Sequence, residues 1–435
     1  MPWFGRSAVR TTFLVVTFFT LLAGDAWRYT ITWWGFGVVA LGIGVVSIVL
    51  MIRQREHWRY GSLPIPLVAF LVIATASIAW SFYPGASALG VVTTWLTTIV
   101  AAAIATTYTW QEVLRGFAMA LRFVLGLSLL FELIVALFVR RPVLPLWVEY
   151  PAGDIPKLLY WSRNELFEVF DGGRIQGVVG NASTLGFMAL LSLIAFSIQL
   201  ASGTVRKVPG ILWIAVAIAT LVFTSSATIW VAMVVVAAAL GAVLLVRSAR
   251  GGWRIVAYGA VAATAAVVAA LGLLLREQLL VALGKSDDLT GRLDIWNAVI
   301  GLAQQRPVQG WGWVSYWPPW IPPFDDLISR NGVQVMHAHN AWLDVWLQLG
   351  IIGLVAVGAL VLSTFVRAWL FAVDPPQVGK RPGRFTALSL LPVLLLVALL
   401  VQSVAESRML VEYGWSILVL VAIKTRTDSV ERAAE

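Results

Sequence analysis

About twelve long apolar runs, separated by short connectors, constrain this chain more than any motif it contains. A run of roughly 17 to 25 apolar residues carries a helix across the hydrocarbon of a bilayer. Runs of this kind stand at 11–24, 30–52, 64–80, 88–108, 113–139, 178–201, 208–224, 227–247, 255–274, 341–371, 386–403 and 412–424. With 60% hydrophobic and only 12% charged residues, the composition excludes an ordinary water-soluble domain of this length. The expected fold is all-α: a polytopic integral membrane protein forming one transmembrane domain, with about twelve transmembrane helices. The first and last runs are short for a full crossing, and the run from 341 is long enough to tilt.

Charge orients these spans. Arg53, Arg55, Arg59, Arg206, Lys207, Arg247, Arg250, Arg254, Lys380, Arg381, Arg384, Lys424 and Arg426 fall on the same side as Arg6 and Arg10. By the positive-inside rule that side is cytoplasmic, so both termini are expected inside. The net charge of +9 is thereby assigned to membrane orientation rather than to nucleic acid. Two long polar segments, 140–177 and 275–339, fall on the outer face, the second forming a large loop with short helices. The N-terminal run lacks a small-residue cleavage site followed by a soluble domain and reads as a retained span. Cysteine is absent, which excludes disulfides and cysteine-ligated metal. No internal repeat supports an inverted-repeat transporter.

The most unusual stretch is His337-Ala338-His339-Asn340, followed by Asp344, Gln348 and Gly350, where the larger outer segment re-enters the membrane. If the helix starts at Asn340, then Asn340, Asp344 and Gln348 share one face for about two turns. Uncompensated polar groups are expensive at that depth, so the stripe is expected to face a hydrated cavity or other helices.

Upstream, Thr290 is placed to cap a helix from Gly291 to about Gln305, ended by Arg306-Pro307, which puts Arg292 in its first turn. Free amides beside a guanidinium form an anion site. An Arg at the membrane surface, paired to Asp288 or Asp294, explains the same residue. The segment Gly310-Trp311-Gly312-Trp313-Val314-Ser315-Tyr316-Trp317-Pro318-Pro319-Trp320 is too rich in Gly and Pro for regular structure. Its rings, Trp311 and Trp313 among them, suit either a membrane interface or a sugar face. A third cluster, Gly172-Gly173-Arg174 through Gly177, Gly180, Asn181 and Ser183, places Arg174 outside an incoming helix that Asn181 or Ser183 caps. An anion pocket and a simple re-entry turn both fit it.

In this order the clusters resemble the O-antigen ligase and O-antigen polymerase superfamily of bacterial membrane proteins. The resemblance rests on Arg174 with Gly177, Gly180 and Asn181; on Gly291-Arg292 with Trp296, then Pro307 and Gly310-Trp311-Gly312; and on His339-Asn340 followed by Gly350 and Gly353. It implies that His339 is the catalytic residue and that Arg174 and Arg292 hold a lipid diphosphate. Two departures stand out. Ser225-Ser226 occupies the place where family members often have Ser-Arg, and Gly353 the place of a frequent Thr. Arg276, Arg306 and Arg330 are candidates to replace the missing arginine.

The implied partners are an isoprenoid-diphosphate-linked glycan donor, a glycan, lipid or cell-wall acceptor, and membrane lipids, in a bacterial cytoplasmic membrane. The implied reaction moves the glycan from its anomeric carbon to an acceptor hydroxyl. Imidazole, as a class, suits the base, and fixed guanidinium groups suit the leaving charge, so neither metal nor cofactor is expected. Asn340, Asp344 and Gln348 would support His339, with His337 a helper or a bystander. His57 lies in an inside connector. Two alternatives stay open: a metal-dependent lipid-linked glycosyltransferase using Asp25, Asp287-Asp288 or Asp325-Asp326, and a flippase or transporter.

Overall fold

The computed structural model describes residues 7–53, 63–148, 150, 155–274, 286–325, 327–330, 333–375, 377–378 and 381–434. His57 and Arg276, and the side chains of Asp287, Asp288 and Arg330, lie outside the described residues. The helices are α1 (Ser7–Leu22), α2 (Gly24–Arg53), α3 (Ile65–Ala76), α4 (Pro84–Thr107), α5 (Trp110–Ile134), α6 (Ala182–Ala201), α7 (Lys207–Thr224), α8 (Ala227–Ser248), α9 (Trp253–Leu274), α10 (Ser286–Ala303), α11 (Ala341–Val373), α12 (Leu391–Ala405) and α13 (Glu412–Ala434). Every expected apolar run coincides with one of these helices, α10 being the one that stands apart from them. Two short hairpins accompany them, Ser329–Arg330 paired with Val333–Gln334 and Gln377–Val378 paired with Arg381–Pro382.

Among the described residues, eight helices suffice by length and composition to cross a membrane, and three shorter apolar ones, Ala8–Leu22, Ile65–Ala79 and Trp253–Val267, accompany them. The difference from twelve has local causes. Pro64 and a 3-10 turn at Ser77–Ala79 bound α3, and α13 is apolar only until Lys424 and Arg426. Helix α6 packs on α7, α1 on α5, α4 on α13 and α2, α3 on α11, and α8 on α12. The deepest burial runs through α6, α11, α12 and α13, where Leu191, Leu347, Leu396 and Leu418 are fully enclosed.

Basic residues tie helix ends together at one end of this bundle. Arg10 bonds Glu112 and the Thr107 carbonyl, Lys424 donates to the Ala105 and Tyr108 carbonyls, and Arg247 donates to the Ala372 carbonyl. Cations at helix C-termini meet both the free carbonyls and the negative end of the helix dipole.

Helix α11 is broken at Gly350, whose φ of 64° and ψ of −162° interrupt its ladder. The freed groups are taken up by the preceding loop: Ile351 N and Ile352 N donate to the Pro307 and Val308 carbonyls, while Trp311 N and Gly312 N donate to the Leu347 and Gln348 carbonyls. A Cβ at Gly350 would stand 2.1 Å from the Val308 oxygen, so only glycine permits this crossing. Gly350→Ala should therefore lower stability by about 3 kcal/mol or more. An unchanged melting temperature in detergent would count against this account.

Candidate active site

The site is built where α10, the loop before α11 and the connector between α12 and α13 meet. Asn340 caps α11, its side chain accepting from Trp342 N at 3.0 Å and Leu343 N at 3.2 Å. It is thus the cap of the helix rather than a residue on its polar face. His339, just outside, has a φ of 48°, a conformation that short polar residues and histidine adopt more readily than most. Its Nδ1 lies 3.1 Å from Glu406 Oε2, and Arg292 Nη2 donates to Glu406 Oε1 at 3.2 Å. A carboxylate can only accept, so this bond puts a proton on Nδ1, and in the neutral form of the ring Nε2 of His339 carries the lone pair.

His337 has the complementary arrangement. Its Nδ1 accepts from the backbone N–H of His339 at 3.2 Å, and the two rings lie 4.1 Å apart. Burial depresses the His337 pKa, and the nearby His339, Arg408 and Arg292 push it further down against the pull of Glu406. It is a neutral imidazole at neutral pH. For Glu406, burial works against ionisation but is outweighed by the charge and bond of His339, with His337 and Arg292 adding, so its carboxyl is lowered to about 2.

Asp344 aligns the two sides of this pair. It is fully buried and accepts from Ala338 N at 3.2 and 3.1 Å, and it also bonds the Ser407 hydroxyl. Ala338 and Ser407 are the neighbours of His339 and Glu406 in sequence. One carboxylate therefore ties the backbone beside His339 to the side chain beside Glu406, and Trp296 Nε1 holds the Ala338 carbonyl at 3.0 Å from α10. Gln348 turns toward the aromatic loop, its oxygen accepting from Val314 N at 2.9 Å and Ser315 N at 3.0 Å. The polar stripe is satisfied by loop backbone rather than by a hydrated cavity.

Three sequence expectations need correction. Helix α10 already includes Ser286, so Thr290 and Gly291 lie inside it and their amides are used by the helix; Arg292 acts through its guanidinium, not through a helix terminus. Trp313 is fully buried, its N bonded to Ser77 Oγ and its Nε1 to Thr94 Oγ1, which removes it as a sugar platform. Trp311 donates to the Leu302 carbonyl and lies beneath Arg306.

Arg174 is held by a second network. Its Nε donates to the Thr224 carbonyl at 2.9 Å, beside the Ser225-Ser226 turn, and its backbone N–H donates to Glu165. The glycine-rich segment is anchored by Glu132 of α5, which accepts from Gln176 N at 2.9 Å and Gly177 N at 2.7 Å. Asn181 caps α6 by accepting from Thr184 N at 3.0 Å. The structure thus joins His337, His339 and Arg292 around Glu406, whereas Arg174 Nε bonds the α7–α8 turn.

Among the described residues, His337, His339 and Glu406 form a group whose ligand atoms lie within 4.8 Å of one another. Two imidazoles and a carboxylate are a known donor set for a divalent ion. Here, however, both oxygens of Glu406 are engaged by Arg292 and His339, and a dication would stand beside a guanidinium. Asp25, an acid candidate from the sequence, is bonded to Arg28 at 2.6 Å.

A family profile described as O-antigen ligase matches residues 211–358, which include Arg292, the two histidines and Gly350. The chain is also similar to the exopolysaccharide production protein ExoQ of Rhizobium meliloti (strain 1021), at 31% identity over 114 residues. That alignment covers 25% of this chain and 25% of the relative, so the chain matches about a quarter of the relative's length. Over residues 211–358 the chain thus matches the O-antigen ligase family.

The superfamily profile ends before the residue that organises the site. Glu406 belongs to a charged pair, Glu406 and Arg408, in the short connector between the last two apolar runs. Charges in so short a link were the available signal, and no spacing rule connects them to His339. Arg408 reaches Glu412 at 3.4 Å and lies over the Tyr316 ring at 5.8 Å. Arg28 of α2 bonds the same Glu412. Two arginines outside the sequence candidates therefore stand at this end of the bundle.

Proposed function

We propose that this protein is a membrane glycosyltransferase that moves a glycan from an isoprenoid diphosphate to an acceptor hydroxyl on the outer face of the cytoplasmic membrane. The observation that carries the reading is the ordered set Arg292–Glu406–His339. A carboxylate orients the imidazole with Nε2 available, and a guanidinium stands on the other carboxylate oxygen. His339 Nε2 accepts the acceptor's O–H proton as that oxygen bonds to the anomeric carbon. The bond from the anomeric carbon to the diphosphate oxygen breaks, and the electron pair leaves with the diphosphate. Arg292 and Arg174 stabilise the added negative charge. Glu406 and Asp344 hold the base; His337, neutral and bonded to the His339 amide, fixes the turn.

The decisive assay uses purified protein in vesicles with a lipid-diphosphate-linked glycan and a candidate acceptor, reading chain-extended or acceptor-linked glycan. Absence of any transfer across acceptor classes would overturn the proposal. Arg292→Lys retains charge but loses the forked geometry, and transfer should fall on the order of ten- to a hundredfold, the worth of one charged hydrogen bond. A variant with wild-type rates would remove Arg292 from the leaving-group role.

Activity should persist in EDTA, because guanidinium groups rather than a dication carry the leaving charge in this reading. Loss of activity restored by added divalent metal would instead make His337, His339 and Glu406 ligands. The orientation is tested in the same protein: a cysteine replacing Ser286 should react with impermeant reagents from the outer face, and labelling from the cytoplasmic face alone would invert the topology.

A further inference from the structure

A cavity of about 210 Å³ opens between α1, α2, α4 and α13, and neither Arg174 nor Arg292 lines it. Leu21, Phe36, Ala40, Ile43 and Val100 give it apolar walls, and Arg28, Tyr316 and Glu412 a polar end. Helix α2, which supplies Arg28, Trp33, Phe36, Ala40 and Ile43 to the lining, breaks at Ile31 and Thr32, where Thr32 has a φ of 71°. A β-branched residue rarely adopts this conformation, and such strain persists only where surrounding contacts hold it. Those contacts are present: Trp147 Nε1 donates to the Thr30 carbonyl at 2.6 Å, and Leu146 N to the Tyr29 carbonyl at 3.3 Å. Beyond the break, Trp33 and Phe36 cover the Arg28 guanidinium at 4.6 and 4.3 Å.

We propose that this cavity receives the hydrocarbon chain of a lipid-anchored acceptor, with the acceptor's polar head at Arg28 and Tyr316; this rests on the glycan transfer proposed above. Apolar walls with a few convergent polar groups at one end match an amphiphile. Tyr316 links the cavity to the site, since its ring lies 5.8 Å from the His337 ring and 5.8 Å from the Arg408 guanidinium. A head group passing Tyr316 arrives at the histidine pair, where an acceptor hydroxyl must meet its base. The arginines held for the donor's diphosphate take no part in the lining, which assigns the cavity to the second substrate.

The test fills the cavity with Ala40→Trp from α2 and, independently, with Thr97→Phe from α4, each checked for insertion and monodisperse elution. Purified protein in phosphatidylcholine vesicles is irradiated with a diazirine-bearing long-chain alkyl phosphate, and labelled peptides are mapped. Labelling of the peptides holding Phe36, Ala40 and Thr97 is expected, falling at least fivefold in whichever variant folds. Equal labelling in the filled variants would overturn chain binding. In transfer assays the same variants should raise the acceptor KM at least tenfold with donor KM and kcat unchanged. A rise in donor KM instead would make the cavity the donor's tail site and overturn the acceptor assignment. If no lipid-diphosphate donor supports transfer, the glycosyltransferase reading and the acceptor assignment fall together, while the photolabelling still decides whether a chain enters.

Discussion

Alanine at His339 should lower glycan transfer on the order of a hundredfold to ten-thousandfold, the range expected when a positioned proton acceptor is removed. The side chain is 29% exposed and lies at the mouth of α11, so its loss opens no core cavity and the variant should insert and melt like the parent. His339→Asn keeps hydrogen bonding without a usable base and should be nearly as inactive. His337→Ala should be milder, because the His337 ring supports the turn through its bond to the His339 amide. Transfer by purified His339→Ala at close to the parent rate from a lipid-diphosphate donor would remove the catalytic assignment.

Replacing Glu406 should have the next largest effect. Glu406→Ala frees the His339 ring to rotate and leaves Arg292 without its carboxylate, and a loss of kcat on the order of a hundredfold is expected for a displaced base. Glu406→Gln keeps the size but loses the charge that both partners need. Glu406→Asp, which restores the carboxylate on a shorter arm, should recover part of the rate. This graded order separates orientation from folding, because a purely structural role predicts that the isosteric Gln is the best tolerated. If Gln outperforms Asp at equal stability, Glu406 is not the orienting group.

Gly350 illustrates why one part of the site was readable early. Its presence in a long apolar run, ten residues after Asn340, has meaning only because a backbone crosses there, and the crossing loop is the Pro307 to Gly312 segment. The residues that resemble the superfamily at 307–312 and at 350 are thus two halves of one packing arrangement. Mutations in either half should resemble each other in effect.

By itself the sequence determined which apolar runs form helices. Every long apolar run became a helix because a chain buried in apolar surroundings must satisfy its own backbone groups, a requirement set locally by hydrophobic length. Asn181 was legible as a cap for the same reason, since it bonds an amide three residues away, whereas Asn340 was read onto the polar face and is the cap of α11 instead. Tertiary structure alone decided what these helices present to one another. It placed Glu406 against His339 and Arg292 across sequence separations of 67 and 114 residues, buried Trp313 between α3 and α4, and turned Asp344 and Gln348 onto loop amides. Such pairings depend on which helix faces meet, and burial then makes each one obligatory, because a buried carboxylate or amide without a partner costs more than the fold can spare.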